Sequence, residues 1–270
     1  MSHAPVRLVQ FTDLHLQGAA DARLKGVATL PTLEATLAAA QARHTPWEAV
    51  LLTGDLVNDD AGGYARVRAL FGGSTVPVYC LPGNHDELAA MRQALVSRPF
   101  QILGSACHGE WLLVMLDSCV AGAAGGRLAA SELGRLEAAL SQHPDRHALI
   151  CLHHHPLPLG SRWLDSVALA NPEALFAVLD RHPQVRALLW GHVHQAWEGE
   201  RRGVRLLATP STCLQFKPDS DAFAVDVRPP AYRWLELSAD GRLDTGIEWV
   251  AQERASDAAQ SASGAKASAG

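Results

Sequence analysis

The segments ALICLHHHP (residues 148–156) and VRALLWGHVH (residues 185–194) share one plan, an apolar run of strand length that breaks into a loop crowded with imidazoles. An uninterrupted aliphatic run of this length reads as a buried strand. Working outward, the same kind of run recurs at Val6 to Phe11, Val50 to Thr53, Val76 to Leu81 and Trp111 to Leu116. Segments with helical spacing lie between several of them: Leu33, Leu37 and Ala40, and Leu133, Leu136 and Leu140 behind Ser131, which the pattern makes an N-cap. Strand and helix in alternation predict βαβ units, hence an α/β fold with a largely parallel sheet covered by helices. Beyond residue 203 the strand candidates crowd together, Val204 to Ala208, Phe223 to Val227 and Tyr232 to Leu237, with Pro and Gly turns between them. An antiparallel closing portion is expected there.

At 270 residues and 48% hydrophobic content the chain can bury the core of one large α/β domain or two small ones. No internal repeat and no Pro-rich or charged linker divides it, so residues 1–251 are expected to form one domain. The last twenty residues hold fourteen Ala, Ser or Gly and no apolar periodicity, which predicts a disordered tail over residues 252–270, from Gln252 onward. A net charge of −5 lacks the basic surplus that draws polyanions, so neither nucleic acid nor a membrane surface is an expected partner. Oligomerisation is left open. The five cysteines (Cys80, Cys107, Cys119, Cys151, Cys213) are odd in number, lack C-x-x-C spacing and mostly sit in apolar runs, so they read as reduced core residues. Met1 to Gln10 has no apolar stretch of signal-peptide length, and no uncharged run approaches the ~20 residues of a membrane span. A cytoplasmic protein is expected.

Of thirteen histidines, seven fall in four short segments: His15, His85, His153 to His155, and His192 with His194. Each polar group follows a strand candidate, at the edge where open α/β sheets bind ligands. Asp13-Leu14-His15 could point carboxylate and imidazole to one side of an extended chain, or be a capping Asp beside a surface His. Gly54-Asp55 could present a carboxylate beyond the sheet or simply cap a turn. Gly83-Asn84-His85-Asp86 is made of turn formers apart from His85. A lone histidine is usually structural, but five in the last two loops would leave polar groups unpaired at roughly 1–3 kcal/mol each unless something binds them. Metal coordination resolves that cost. Asp, Asn and His without thiolate suit Mn²⁺, Fe²⁺ or Zn²⁺, and a positive centre attracts an anion such as a phosphate ester.

The ordered set D-x-H, GD, GNHD, HHHP and GHVH, spanning residues 13 to 194, resembles the calcineurin-like metallophosphoesterase superfamily. His153 to Leu157, Trp163-Leu164-Asp165 and Ala208 to Pro218 are further similar to the class III bacterial 3′,5′-cyclic-AMP phosphodiesterases, over nearly the whole chain before the tail. The resemblance implies a four-layer αββα sandwich holding two divalent metal ions (Fe²⁺, Mn²⁺ or Zn²⁺). It assigns Asp13, His15 and His194 to one ion and Asn84, His154 and His192 to the other, with Asp55 as the bridge. His154 is chosen because the family's ligand stands two places before the proline, which leaves His153 and His155 as supporting residues. His15, Asp55, Asn84, His85 and His194 are the residues it implies at the substrate.

The activity so implied is hydrolysis of 3′,5′-cyclic AMP to 5′-AMP. Two ions ~3.5–4 Å apart share a hydroxide nucleophile and clamp the phosphoryl oxygens. His85 is the expected general acid for the leaving 3′ alkoxide, with Asp86 to orient it. Thr209 to Phe216 and Leu157 to Leu164 could hold the nucleoside, or be ordinary packing. Rival readings keep the metals and change the ester, to a glycerophosphodiester, a 2′,3′-cyclic nucleotide or a nucleotide pyrophosphate. A binding module that lost catalysis is the rival from another class, though here the ligand set and the GNH histidine are complete.

Overall fold

The structure is a computed structural model, and it describes residues 4–251. The tail expected from Gln252 lies outside the described residues. The chain runs β1 (Val6–Phe11), a small hairpin of β2 (Arg23–Leu24) and β3 (Val27–Ala28), α1 (Thr29–His44), β4 (Ala49–Thr53), α2 (Gly63–Phe71), β5 (Val78–Leu81), α3 (Leu88–Ala94) and β6 (Phe100–Ile102). It continues through β7 (Gly104–His108), β8 (Trp111–Met115), α4 (Ala130–Gln142), β9 (His147–Cys151), α5 (Arg162–Asp165), α6 (Pro172–Leu179) and β10 (Val185–Trp190). It closes with β11 (Trp197–Arg201), β12 (Val204–Ala208), β13 (Gln215–Phe216), β14 (Val225–Asp226), β15 (Ala231–Leu237) and β16 (Leu243–Trp249).

Two six-stranded sheets result, in the orders β16-β15-β1-β4-β5-β6 and β11-β12-β10-β9-β8-β7. Alternation along each strand explains why they stack. In β4, Val50 and Leu52 face a core shared with α1, α2 and α3, while Ala49 and Leu51 face a second core between the sheets. In β9, Leu149 and Cys151 face that same inter-sheet core, and Ala148 and Ile150 face α4 and α6. A strand covered on both faces is apolar at most positions, which is why these runs are nearly continuous. Helices, sheet, sheet and helices form the four-layer αββα sandwich. Each fully buried Leu in it contributes about 1.5–3 kcal/mol by leaving water.

The central strands are parallel: β1, β4, β5 and β6 in one sheet, and β8, β9, β10 and β12 in the other. The expected antiparallel close is correct for Tyr232 to Leu237, which lies in β15, antiparallel to both β1 and β16. Val204 to Ala208 is antiparallel to β11 on one side, as expected, but parallel to β10 on the other. Only Val225–Asp226 of the candidate Phe223 to Val227 is strand, paired with β13 outside both sheets. The edge strands β7, β11 and β16 had no apolar run to reveal them, since their sequences GSACH, WEGER and LDTGIEW are mixed and mostly half-exposed.

Ser131 is not an N-cap. The cap is Ala129, with no side-chain hydrogen bond, and Ser131 lies inside the first turn of α4. All five cysteines are free; Cys80, Cys151 and Cys213 are buried as expected, but Cys107 is exposed on edge strand β7 and Cys119 is half-buried. Among the described residues no helix is long and apolar enough to cross a membrane.

Candidate active site

The five polar groups leave the carboxyl ends of β1, β4, β5, β9 and β10, and the loops are tied to one another before any side chain is considered. Asp13 N donates to Gly54 O (3.0 Å), His15 N to Asp55 O (2.9 Å) and Leu16 N to Leu56 O (3.1 Å). Asp13 in turn accepts the His192 N–H at 3.0 Å, linking one sheet to the other. The extended-chain route to a shared grip does not hold. Asp13 (φ 54°) and His15 (φ 46°) are both left-handed, as are Asp55 (φ 50°), His192 (φ 67°) and His194 (φ 47°). Non-glycine residues adopt this region at a cost of order 1–3 kcal/mol each, and such strain gathers where a site requires it.

Three side-chain clusters follow: Asp13 with His15 and His194, His15 with Asp55 and His85, and Asp55 with His153 and His192. In the first, His15 Nδ1 donates to Asn58 Oδ1 (3.1 Å) and His194 Nδ1 donates to Leu214 O (2.7 Å). Both imidazoles therefore turn a lone pair inward, and the two Nε2 atoms stand 3.2 Å apart. Two facing lone pairs repel unless a cation lies between them. Asp13 Oδ1, 3.4 Å from His194 Nε2, completes this donor set. Burial pushes His15 down to about 4, so the neutral form that a cation needs is present at neutral pH.

Asp55 Oδ2 lies 3.7 Å from His15 Nε2 and 3.4 Å from His153 Nε2, so one carboxylate reaches both groups. His153 donates from Nδ1 to Thr53 O (2.9 Å), which turns Nε2 toward Asp55. That Nε2 and Asn84 Oδ1 are both buried without a hydrogen-bond partner. Burial lowers the His153 pKa, but the Asp55 carboxylate outweighs it and raises the group to about 9. The pair of His153 Nε2 and Asp55 thus draws a positive charge, which a divalent cation can supply in place of the proton, and Asn84 Oδ1 is a further unpartnered ligand oxygen.

His154, the ligand that the resemblance selected, is not brought to this space. Its Nδ1 bonds Ser118 Oγ (2.8 Å) and its Nε2 donates to Ala124 O (3.2 Å), so no lone pair remains to bind a metal. His153 occupies the place expected of it. His155 is buried and stacks on His192 (5.6 Å, 23°), a supporting position. His192 donates from Nε2 to Val167 O (3.1 Å), leaving Nδ1 for the cluster.

His85 N donates to Asp55 Oδ1 (2.9 Å), and its ring is oriented by Asp59, whose Oδ2 accepts from Nδ1 at 2.9 Å. Asp86 does not orient it. That carboxylate is engaged with Leu56 N, Gly83 N and the Tyr64 hydroxyl. Burial lowers the His85 pKa, yet the Asp55 and Asp59 carboxylates together raise it above the ordinary value. Asn58, Asp59 and Ser118 had no motif to announce them, because they act on histidines distant in sequence.

Gly83 is required by close approach: a Cβ there would meet Asp55 Oδ1 and the Asp55 backbone nitrogen. Gly83→Ala is expected to cost about 1–3 kcal/mol, lowering the melting temperature by roughly 2–12 °C. Calorimetry showing an unchanged transition would mean the loop yields freely.

Strained loops that gather carboxylates and imidazoles into clusters able to hold a metal, on an αββα sandwich, define a metal-dependent phosphoesterase. Residues 6–196 match the calcineurin-like phosphoesterase family, and the chain belongs to it. It is 42% identical over 250 residues to the 3′,5′-cyclic adenosine monophosphate phosphodiesterase CpdA of Pseudomonas aeruginosa, covering 92% of this chain and 91% of that one. The Escherichia coli CpdA is 40% identical over 253 residues, covering 93% and 92%. The 3′,5′-cyclic-nucleotide phosphodiesterase alr5338 of Nostoc is 36% identical over 247 residues, covering 91% and 93%. A dimetal phosphatase from Danio rerio shares the fold with a TM-score of 0.61 at 16% identity, covering 92% of this chain and 100% of that one. Membership of this family implies divalent metal ions, and the clustered His and Asp side chains are the groups to hold them.

Proposed function

We propose that this metal-dependent phosphodiesterase hydrolyses 3′,5′-cyclic AMP to 5′-AMP at a two-cation centre. The observation that carries the centre is Asp55 Oδ2, within 3.7 Å of His15 Nε2 on one side and 3.4 Å of His153 Nε2 on the other. Asp13, His15 and His194 would hold one ion, and Asn84, His153 and His192 the other, with Asp55 bridging. Fe²⁺, Mn²⁺ and Zn²⁺ all suit these donors. When bound, such a pair acidifies a shared water into a nucleophile and neutralises the phosphoryl oxygens. The similarity to cyclic-AMP phosphodiesterases over nine-tenths of the chain supports the substrate.

His15, Asp55, Asn84, His85 and His194 line one cleft and would flank the phosphate. His85, with Nδ1 anchored on Asp59, is left with Nε2 to protonate the departing 3′ oxygen. The five free thiols suit a reducing compartment, in keeping with a cytoplasmic enzyme.

The test is chromatographic analysis after incubating purified protein with cyclic AMP and Mn²⁺ or Fe²⁺. The expected product is 5′-AMP, with none formed when a chelator removes the metal. Formation of 3′-AMP, or no turnover with either metal, would refute the reading.

A further inference from the structure

The cleft has two unlike linings. Beside the ligand-bearing side chains, Trp163, Leu164, Val167 and Phe216 give the same cleft an apolar lining. Phe216 is locked to the site: its N donates to His194 O (3.2 Å) and its ring stacks on the His194 imidazole at 4.0 Å and 10°. Trp163, on the short helix α5, meets Phe216 edge-on at 5.0 Å and 75°, and meets Phe223 in the same way at 5.2 Å. Phe223 remains 46% exposed at the rim. Core packing does not require an aromatic cluster to open onto a polar cleft. A ligand with an anionic end and a flat apolar end does.

We infer that Trp163, backed by Phe216, is the platform on which the nucleobase of the substrate stacks, so that these two residues set the preference for a nucleotide over a plain phosphate ester. The inference rests on the nucleotide reading above. Adenine offers a large π-face, the phosphate is drawn to the ligand-bearing side chains, and Trp163, on helix α5, stands ten residues beyond His153 and is not itself a proposed ligand. Trp163 therefore governs binding of the base while leaving the grip on phosphate alone.

The experiment is calorimetric titration of the Mn²⁺-loaded full chain with 5′-AMP and, separately, with inorganic phosphate. Wild type is expected to bind 5′-AMP more tightly than phosphate. Trp163→Leu keeps the apolar bulk that packs beneath the loop but has no aromatic face. It should weaken 5′-AMP by about 5- to 150-fold, the loss of one stacked base, and leave phosphate affinity unchanged. Trp163→Phe, which retains a ring, should keep most of the preference, and in steady state Trp163→Leu should raise KM for cyclic AMP far more than it lowers kcat. Equal weakening of both ligands, or no weakening of 5′-AMP, would overturn the platform while leaving the proposed reaction in place. A wild type that holds 5′-AMP no better than phosphate overturns both. Loss of the 5′-AMP preference in Trp163→Leu without any cyclic AMP turnover in wild type would support the platform and sink the proposed substrate.

Discussion

Asp55→Ala is expected to lose both cations and, with them, cyclic AMP turnover by well over the ~10- to 100-fold that changing a group behind a ligand costs. Asp55 Oδ2 is the atom that reaches toward both histidine groups, and Oδ1 accepts the His85 N–H (2.9 Å), so one truncation loosens three elements. Neighbouring histidines sharpen the test. His153→Ala should lose about one ion, because Nε2 has no partner in the protein and faces Asp55. His154→Ala should retain two, since both ring nitrogens bond within the protein. Elemental analysis of the three variants decides the matter. Two ions in His153→Ala with one in His154→Ala would reverse the assignment, and a single ion in wild type would remove the bridge altogether.

His85→Ala is expected to keep both cations and slow cyclic AMP hydrolysis by ~10²–10⁴, the usual worth of general acid catalysis. Bis(p-nitrophenyl) phosphate should suffer far less, because nitrophenolate leaves without a proton. Asp59→Asn should show the same selectivity with a smaller loss, as Asp59 accepts the His85 Nδ1–H at 2.9 Å but touches no other site group among the bonds described. The observable is the ratio of the two losses in kcat/KM. Equal losses for both esters would mean that His85 positions the phosphate, and its role as acid would be withdrawn.

Much of this architecture was legible because it rests on local chemistry. Strands buried on both faces are apolar at most positions, so VRLVQF (residues 6–11) and VRALLW (residues 185–190), each with only one or two polar residues, declare themselves with the bounds later observed. Edge strands such as WEGER (residues 197–201) need only one covered face, and nothing marks them before the sheet exists. The polar groups were legible for a related reason, since carboxylates and imidazoles clustered behind apolar runs have no cheaper explanation than a ligand.

What one chain segment cannot contain is parity between layers. Three consecutive histidines are chemically alike, and the motif spacing pointed to His154. In the fold, Leu149 and Cys151 face the inter-sheet core, and the same parity carries His153 on toward Thr53 and Asp55. Which face of an evenly apolar strand looks inward depends on a second sheet that the strand's own residues do not encode. The same holds for Asp59, brought to His85 across 26 residues of sequence, and for Asn58, 43 residues from His15. Composition and periodicity by themselves determined the α/β class and the sheet edge where the polar groups gather, while the proposed donors came from the resemblance of the motifs. Tertiary structure alone decided which imidazole keeps a free lone pair, because that choice is made by whichever carbonyl or hydroxyl the folded chain brings to its other nitrogen.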